Sequence, residues 1–266
     1  MTSLSPQTDL DYFAAVSLGL LPGYKSVNKF GAAPSGVQTT ATDIWDLANA
    51  TPTQQIWLAP TAARIHTVAS TSAADTTGGT GVATVDVSYL PDWNTAEAVE
   101  RVTGDLNAGI AMSNSAVIIH RMKVVPQSTT TNVGGNVGTI TATAAVDGTI
   151  TAVILPGNGQ TEMAIYGVPS TQTALLYQWH AQIDKSTGVA ASVDFTIRLN
   201  PNPDVQTVAF LRKDDISVQS TGTSSKSKNG GIPKTFAGPC IIKIQGIASA
   251  ADVDGEAGFD LIVVDN

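Results

Sequence analysis

The sequence predicts an all-β protein: two tandem β-sandwich domains of jelly-roll type, related by internal duplication, behind an N-terminal extended arm that carries a short helix. Three observations lead there. Charged residues make up only 14 % of the 266, and hydrophobic residues 42 %. Gly, Ala, Thr, Ser and Val are abundant where a helical protein would carry blocks of Lys, Glu and Leu. From about residue 54 onward apolar side chains recur with period two. Segments of the first half also reappear, in order, in the second.

Residues 1–45 form the predicted arm. Asp9 to Leu20 reads as a short helix ended by Pro22-Gly23, since Pro lacks a donor and Gly accepts a positive φ. Acidic Asp9 and Asp11 precede the apolar run Phe13 to Leu21, the wrong charge for a secretory leader. Tyr24 to Phe30 and the following Gly-Ala-Ala-Pro-Ser-Gly show neither helical nor strand period. They read as an extended arm with Tyr24, Lys25, Phe30 and Trp45 as subunit-anchoring residues, laid on its own domain or on a neighbour. On this reading residues 1–45 can be deleted and the sandwiches still fold.

The first sandwich is placed at 46–155 and the second at 156–266. Strands are expected at Ala83–Leu90, Val117–Val125, Gly138–Ala144, Val193–Leu199, Cys240–Ile247 and Phe259–Val264. Asp147-Gly148 marks a hairpin turn. The repeat pairs Ile56-Trp-Leu-Ala-Pro60 with Ile165-Tyr-Gly-Val-Pro169, about 110 residues later. It continues with Thr80–Val87 against Thr187–Phe195, and with Val117-Ile-Ile-His-Arg121 against Cys240-Ile-Ile-Lys-Ile244.

Chemistry-bearing motifs are sparse. His66, His120 and His180 each sit inside an expected strand with no second ligand at metal-binding spacing. The chain has no G-x-S-x-G elbow. Gly78-Gly79-Thr-Gly81 and Gly134-Gly135-Asn-Val-Gly138 lack the Lys-Ser/Thr of a phosphate loop and read as strand connections. Cys240 is the single cysteine, which leaves no intramolecular disulfide and suits an inert small hydrophobe. Asp252, Asp254 and Glu256 are weak calcium candidates without the later ligands of an EF-hand. Trp93, after Pro91-Asp92, is the candidate exposed contact. A net charge of −8 disfavours nucleic acid. No run is long and apolar enough for a membrane-spanning helix. A non-enzymatic protein without cofactor is expected.

Gly23-Tyr-Lys-Ser-Val-Asn-Lys-Phe-Gly31 and Asp43-Ile-Trp-Asp46 carry a resemblance to a known family. Ser72-Ala-Ala-Asp75 with Gly79-Thr-Gly81, Ile119-His-Arg-Met122, Pro156-Gly-Asn-Gly-Gln160 and Ala257–Asn266 extend it over most of the chain. The sequence resembles small structural proteins of tailed bacteriophages, common among marine and environmental phages. That resemblance implies a virion component assembled in the host cytoplasm, such as a capsid decoration or cement protein or a head fibre. Its partners would be itself, as a homotrimer, and other virion proteins such as the major capsid protein. The alternative is a tail-associated fibre or adhesin that binds a host surface glycan, with Trp93 in its site.

Overall fold

The computed structural model describes residues 11–47, 54–126, 135–184, 191–204, 209–220 and 224–266. Among the described residues the chain forms α1 (Tyr12–Ser17), a single 3₁₀ turn at Leu106–Ala108, and otherwise strands: β1 (Tyr24–Val37), β2 (Thr42–Asp43), β3 (Arg64–Ser70), β4 (Thr84–Leu90), β5 (Ala98–Thr103), β6 (Ile110–Ala116), β7 (Ile118–Val124) and β8 (Ile140–Ala144). They continue as β9 (Ile150–Ile154), β10 (Ile165–Val168), β11 (Gln172–Asp184), β12 (Ser192–Asn200), β13 (Leu211–Gln219), β14 (Ser224–Ala237), β15 (Cys240–Ala248) and β16 (Val253–Asp265). The expected strands are all present to within a few residues, except that β16 begins well before Phe259. Asp147-Gly148 lies in the connection between the paired strands β8 and β9, with Gly148 at φ +66°.

Strands β3–β9 make two antiparallel sheets, ordered β6-β3-β8-β9 and β5-β4-β7. The other two sheets run β1-β16-β11-β14 and β10-β15-β12-β13, with β2 added on β15. β3 lies between β6 and β8 as β11 lies between β14 and β16. β4 lies between β5 and β7 as β12 lies between β13 and β15. Strands β3–β8 and β11–β16 therefore follow one pairing order. Part of the Thr187–Phe195 repeat, residues 187–190, falls outside the described residues.

The N-terminal arm is corrected from Tyr24 onward. β1 pairs antiparallel with β16, from Tyr24 opposite Val264 to Val37 opposite Val253. It holds the place on β16 that β9 holds on β8. Its inward face is Val27, Lys29, Gly31, Ala33 and Val37, all buried. One charge and two small residues on that face erase the apolar alternation. Gly31 is required there: a Cβ would stand 2.6 Å from the Ala164 nitrogen and the Ile44 oxygen. Trp45, expected as an anchor, is fully buried, and its Nε1 donates to the Gln54 carbonyl at 3.2 Å. Removing residues 1–45 would thus strip a strand and a core tryptophan from the second sheet pair.

Buried ionic groups fix this arrangement. Asp43 is fully buried; its Oδ2 accepts from Lys243 Nζ at 2.5 Å and from the Trp57 amide at 2.8 Å, and Oδ1 accepts from Gln245 Nε2 at 2.9 Å. Lys243 also lies over the Phe210 ring, 4.1 Å from its centre. Trp57 then donates from Nε1 to Thr151 on β9 at 2.9 Å, which ties this node to the first sheet pair. Asp75 plays a comparable part between the two glycine-rich loops. It accepts from Ser70 Oγ and from the amides of Val82, Val137 and Gly138 at 2.5–3.0 Å. Those loops do cradle an anion, and it is the chain's own carboxylate.

Charged side chains close one flank of each sheet pair. Glu100 on β5 accepts from the amides of Ser113 and Asn114 on β6 at 2.5 and 3.2 Å. On the corresponding flank of the other pair, Lys234, Lys228 and Lys226 of β14 donate to alternate carbonyls of β13, those of Lys213, Asp215 and Ser217, at 2.8, 3.4 and 2.6 Å. Free strand edges invite pairing with other chains, and charge on an edge suppresses it.

Lys243→Met leaves Asp43 charged and buried, and loss of one member of a buried pair costs about 3–5 kcal/mol. Urea denaturation at neutral pH is expected to show a loss of that size, well above the effect of Arg212→Ala at the exposed pair with Asp215.

Candidate functional site

Two places on the molecule bring unusual residues together. The first is the outer face beside α1. The helix stops in a Schellman turn: Leu20 donates to the Ala15 carbonyl at 2.9 Å and Gly19, at φ +68°, donates to Val16 at 3.0 Å. Gly19 therefore ends the helix ahead of the expected Pro22-Gly23. Ala15 and Val16 face the sheet, while Tyr12, Phe13, Leu18 and Leu20 stay exposed, Leu18 at 64 %. Tyr12 meets Phe13 and Tyr24 edge-on at 5.4 and 6.1 Å, and Phe13 tilts against Tyr177 of β11 at 4.5 Å. A cleft of about 340 Å³ runs beneath, lined mainly by Phe13, Val16, Val27, Tyr177, Leu261 and Ile262. Of the expected anchors, Tyr24 belongs to this patch, Phe30 is half-buried and Lys25 turns away from it.

The second place is the seam where β1, β7 and β10 meet. Lys25 Nζ lies 2.5 Å from Glu97 Oε2, and the Tyr166 hydroxyl donates to the same oxygen at 3.3 Å. His120 stacks on Tyr166, ring centres 4.3 Å apart, and its Nε2 accepts from the Gly167 amide at 3.3 Å. In the neutral ring the proton therefore sits on Nδ1. That atom is buried 3.2 Å from Glu97 Oε2 but without a well-formed hydrogen bond. Lys29, only 3 % exposed, donates to the His120 carbonyl. Burial lowers the Lys29 ammonium to about 7, and the nearby Arg121 charge adds to the effect. Burial likewise lowers His120, which keeps the imidazole neutral. Burial opposes ionisation of Glu97, but the His120 ring beside it, and after it the Lys25 ammonium, outweigh burial and hold the carboxyl well below its usual range. Sequence reading left Lys29 and Glu97 out. The signal for Lys29 was a lysine at an inward position of β1, legible only once that strand was recognised.

Trp93 corrects the expected exposed contact, since it is 5 % exposed. Asp92 caps the turn by accepting from Asn94 N at 2.7 Å and Thr95 Oγ1 at 2.9 Å. The turn folds the indole back over Gly167, where a Cβ would meet the ring at 3.1 Å. The glycan-binding alternative thereby loses its candidate aromatic. Asp252 accepts from Gln38 at 2.7 Å and Glu256 from Gln182 at 2.5 Å, while Asp254 lies exposed on β16. These three do not converge, and among the described residues no three His, Cys, Asp or Glu side chains gather as a metal site. Cys240 opens β15 fully buried, its thiol pushed up to about 12 by burial. Asp46 is nearly as buried: Oδ2 accepts from the Glu162 amide at 2.9 Å and Oδ1 has no partner among the described residues. Burial raises its carboxyl to about 8, so it is protonated at neutral pH. No protein-family model, curated protein or solved structure matches this chain.

The two shifted groups give opposite pH signatures. Lys29 titrates lower in the folded chain than its ordinary 10.5, so the unfolded chain holds more protons from about 7 up to 10.5 and stability rises with pH there. Asp46 titrates above its ordinary 3.8, so the folded chain holds more protons from 3.8 up to about 8 and stability falls as pH rises through that window. Denaturation from pH 5 to 10 is expected to show Lys29→Met losing the rise above neutrality, and Asp46→Asn losing the opposite slope below it.

Proposed function

We propose that this chain is a non-enzymatic structural component of a tailed-phage virion, a capsid decoration or cement protein or a head fibre. It packs on copies of itself, as a homotrimer, and on neighbouring virion proteins. The observation that carries this reading is the exposed aromatic patch of Tyr12, Phe13, Tyr24 and Tyr177 with Leu18 and Leu20 beside it. Large aromatics left in water beside an apolar cleft fit a subunit contact, where each buries much surface at little conformational cost. The likeness to phage structural proteins supplies the setting. Low charge density, and a charged flank on each sheet pair, fit a protein that associates through one face more than through its strand edges.

The same reading takes the chain as two tandem β-sandwich copies. The shared pairing order of β3–β8 and β11–β16 supports it, as do the sequence repeats, which fall on or beside β4 and β12, and β7 and β15. In this view β9 completes the first copy and the N-terminal β1 completes the second.

The test leaves β1 intact. Sedimentation of the wild-type chain is expected to give a trimer, and Phe13→Asp with Tyr177→Asp to shift it to monomer with an unchanged β-rich circular dichroism spectrum. Quantitative mass spectrometry of virions is expected to find the wild-type chain in shell-covering copy number and the double variant depleted. A chain that is monomeric at every concentration and absent from particles would overturn the proposal.

A further inference from the structure

The seam cavity holds more donors than acceptors. It measures about 140 Å³ and is lined by Lys25, Asn28, Lys29, Glu97, His120 and Arg121, among others. A single water needs roughly 10–15 Å³ by the same kind of measure, so the space is several waters large. Three of the chain's fourteen cationic residues border it, in a protein of net charge −8. Lys29 has three N–H donors, yet the His120 carbonyl is its one hydrogen-bond partner among the described residues. His120 Nδ1 is wholly buried 3.2 Å from Glu97 Oε2 and does not reach the cavity. The one carboxylate oxygen within its reach, Glu97 Oε2, already serves Lys25 and Tyr166. A lysine ammonium, almost wholly buried, thus borders the cavity with donor capacity unspent. Lys29 and Arg121 bring hydrogens and no lone pair to it, so what fits between them must accept.

We propose that this cavity is a binding site for a small oxyanion, held by the Lys29 ammonium, with Arg121 at its mouth. Arg121 is partly exposed and directs one Nη2 donor to the Asn28 carbonyl at 2.6 Å, leaving its other donors for a ligand. Glu97 acts against the site, because its charge repels the ligand, and so it limits affinity. This inference stands apart from the virion reading: Lys29 and Arg121 take no part in the aromatic patch, so either can fail alone.

Isothermal titration of the full chain with sodium phosphate, and separately with sodium acetate, at constant ionic strength made up with chloride, tests it. One saturable site is expected for at least one anion; the tighter of the two identifies a tetrahedral or a planar ligand. Lys29→Met is expected to weaken binding about tenfold or more, the loss of one charge-assisted hydrogen bond. Glu97→Gln is expected to tighten it, an effect that a purely structural role for Glu97 does not produce. Absence of saturable binding of both anions, or affinity unchanged by Lys29→Met in a folded variant, overturns the proposal. If Lys29→Met does not fold, Glu97→Gln decides: binding that fails to tighten overturns it.

Discussion

The buried ion pair of Asp43 and Lys243 is the constraint on which the architecture turns. Asp43 belongs to the N-terminal segment and Lys243 to β15, two hundred residues away. Two charges leave water here, and their mutual attraction offsets that loss only because the remaining carboxylate lone pairs are also used. The Trp57 amide and Gln245 supply those bonds. The node therefore specifies one path for the N-terminal segment: along β16 as β1, across β15 as β2, then through Trp45 and Trp57 toward the first sheet pair. Neighbouring backbone bonds repeat the instruction, with Ile44 donating to Ile244 and Ala164 donating to Ile44, both at 3.0 Å.

Polar groups specify and apolar groups fill elsewhere too. Asp75 ties together two loops distant in sequence, and Glu100 and the β14 lysines finish flanks that hydrophobic side chains would have left adhesive. These contacts contribute less to stability than the core does, but they decide which of many β arrangements the core adopts. The seam departs from this pattern. Lys29 is buried with donor capacity to spare, so the seam is the place where the fold is least self-sufficient.

The fold class was legible because it rests on periodicity. Val85, Val87 and Tyr89 of β4, or Val193, Phe195 and Ile197 of β12, alternate in a way only a sheet uses, and the helix near residue 12 announced itself by its apolar run. β1 was not legible, because an inward face of Val27, Lys29, Gly31 and Ala33 carries no hydrophobic alternation; backbone proximity and a buried charge take its place. Trp45 and Trp93 were misplaced for a related reason. Both flank turns or short segments, where sequence gives no facing direction, and a tryptophan's size made an interface and a core equally apt. The aromatic patch was half visible: Tyr24 was singled out, but Tyr177, brought beside Phe13 from across the sheet, has no sequence signal linking it to the N-terminus.

The pairing of β1 with β16 carries a consequence for biosynthesis. The two strands are separated by more than two hundred residues, so during translation β1 emerges long before its partner exists. The first sheet pair can condense as it leaves the ribosome, whereas β1 must wait, its backbone groups solvated, until β16 has been made. Contacts of such long range are slow to form. A nascent chain of this protein thus passes through a stage with one finished layer pair and one unfinished, and a strand made before the first layer pair is incorporated after it.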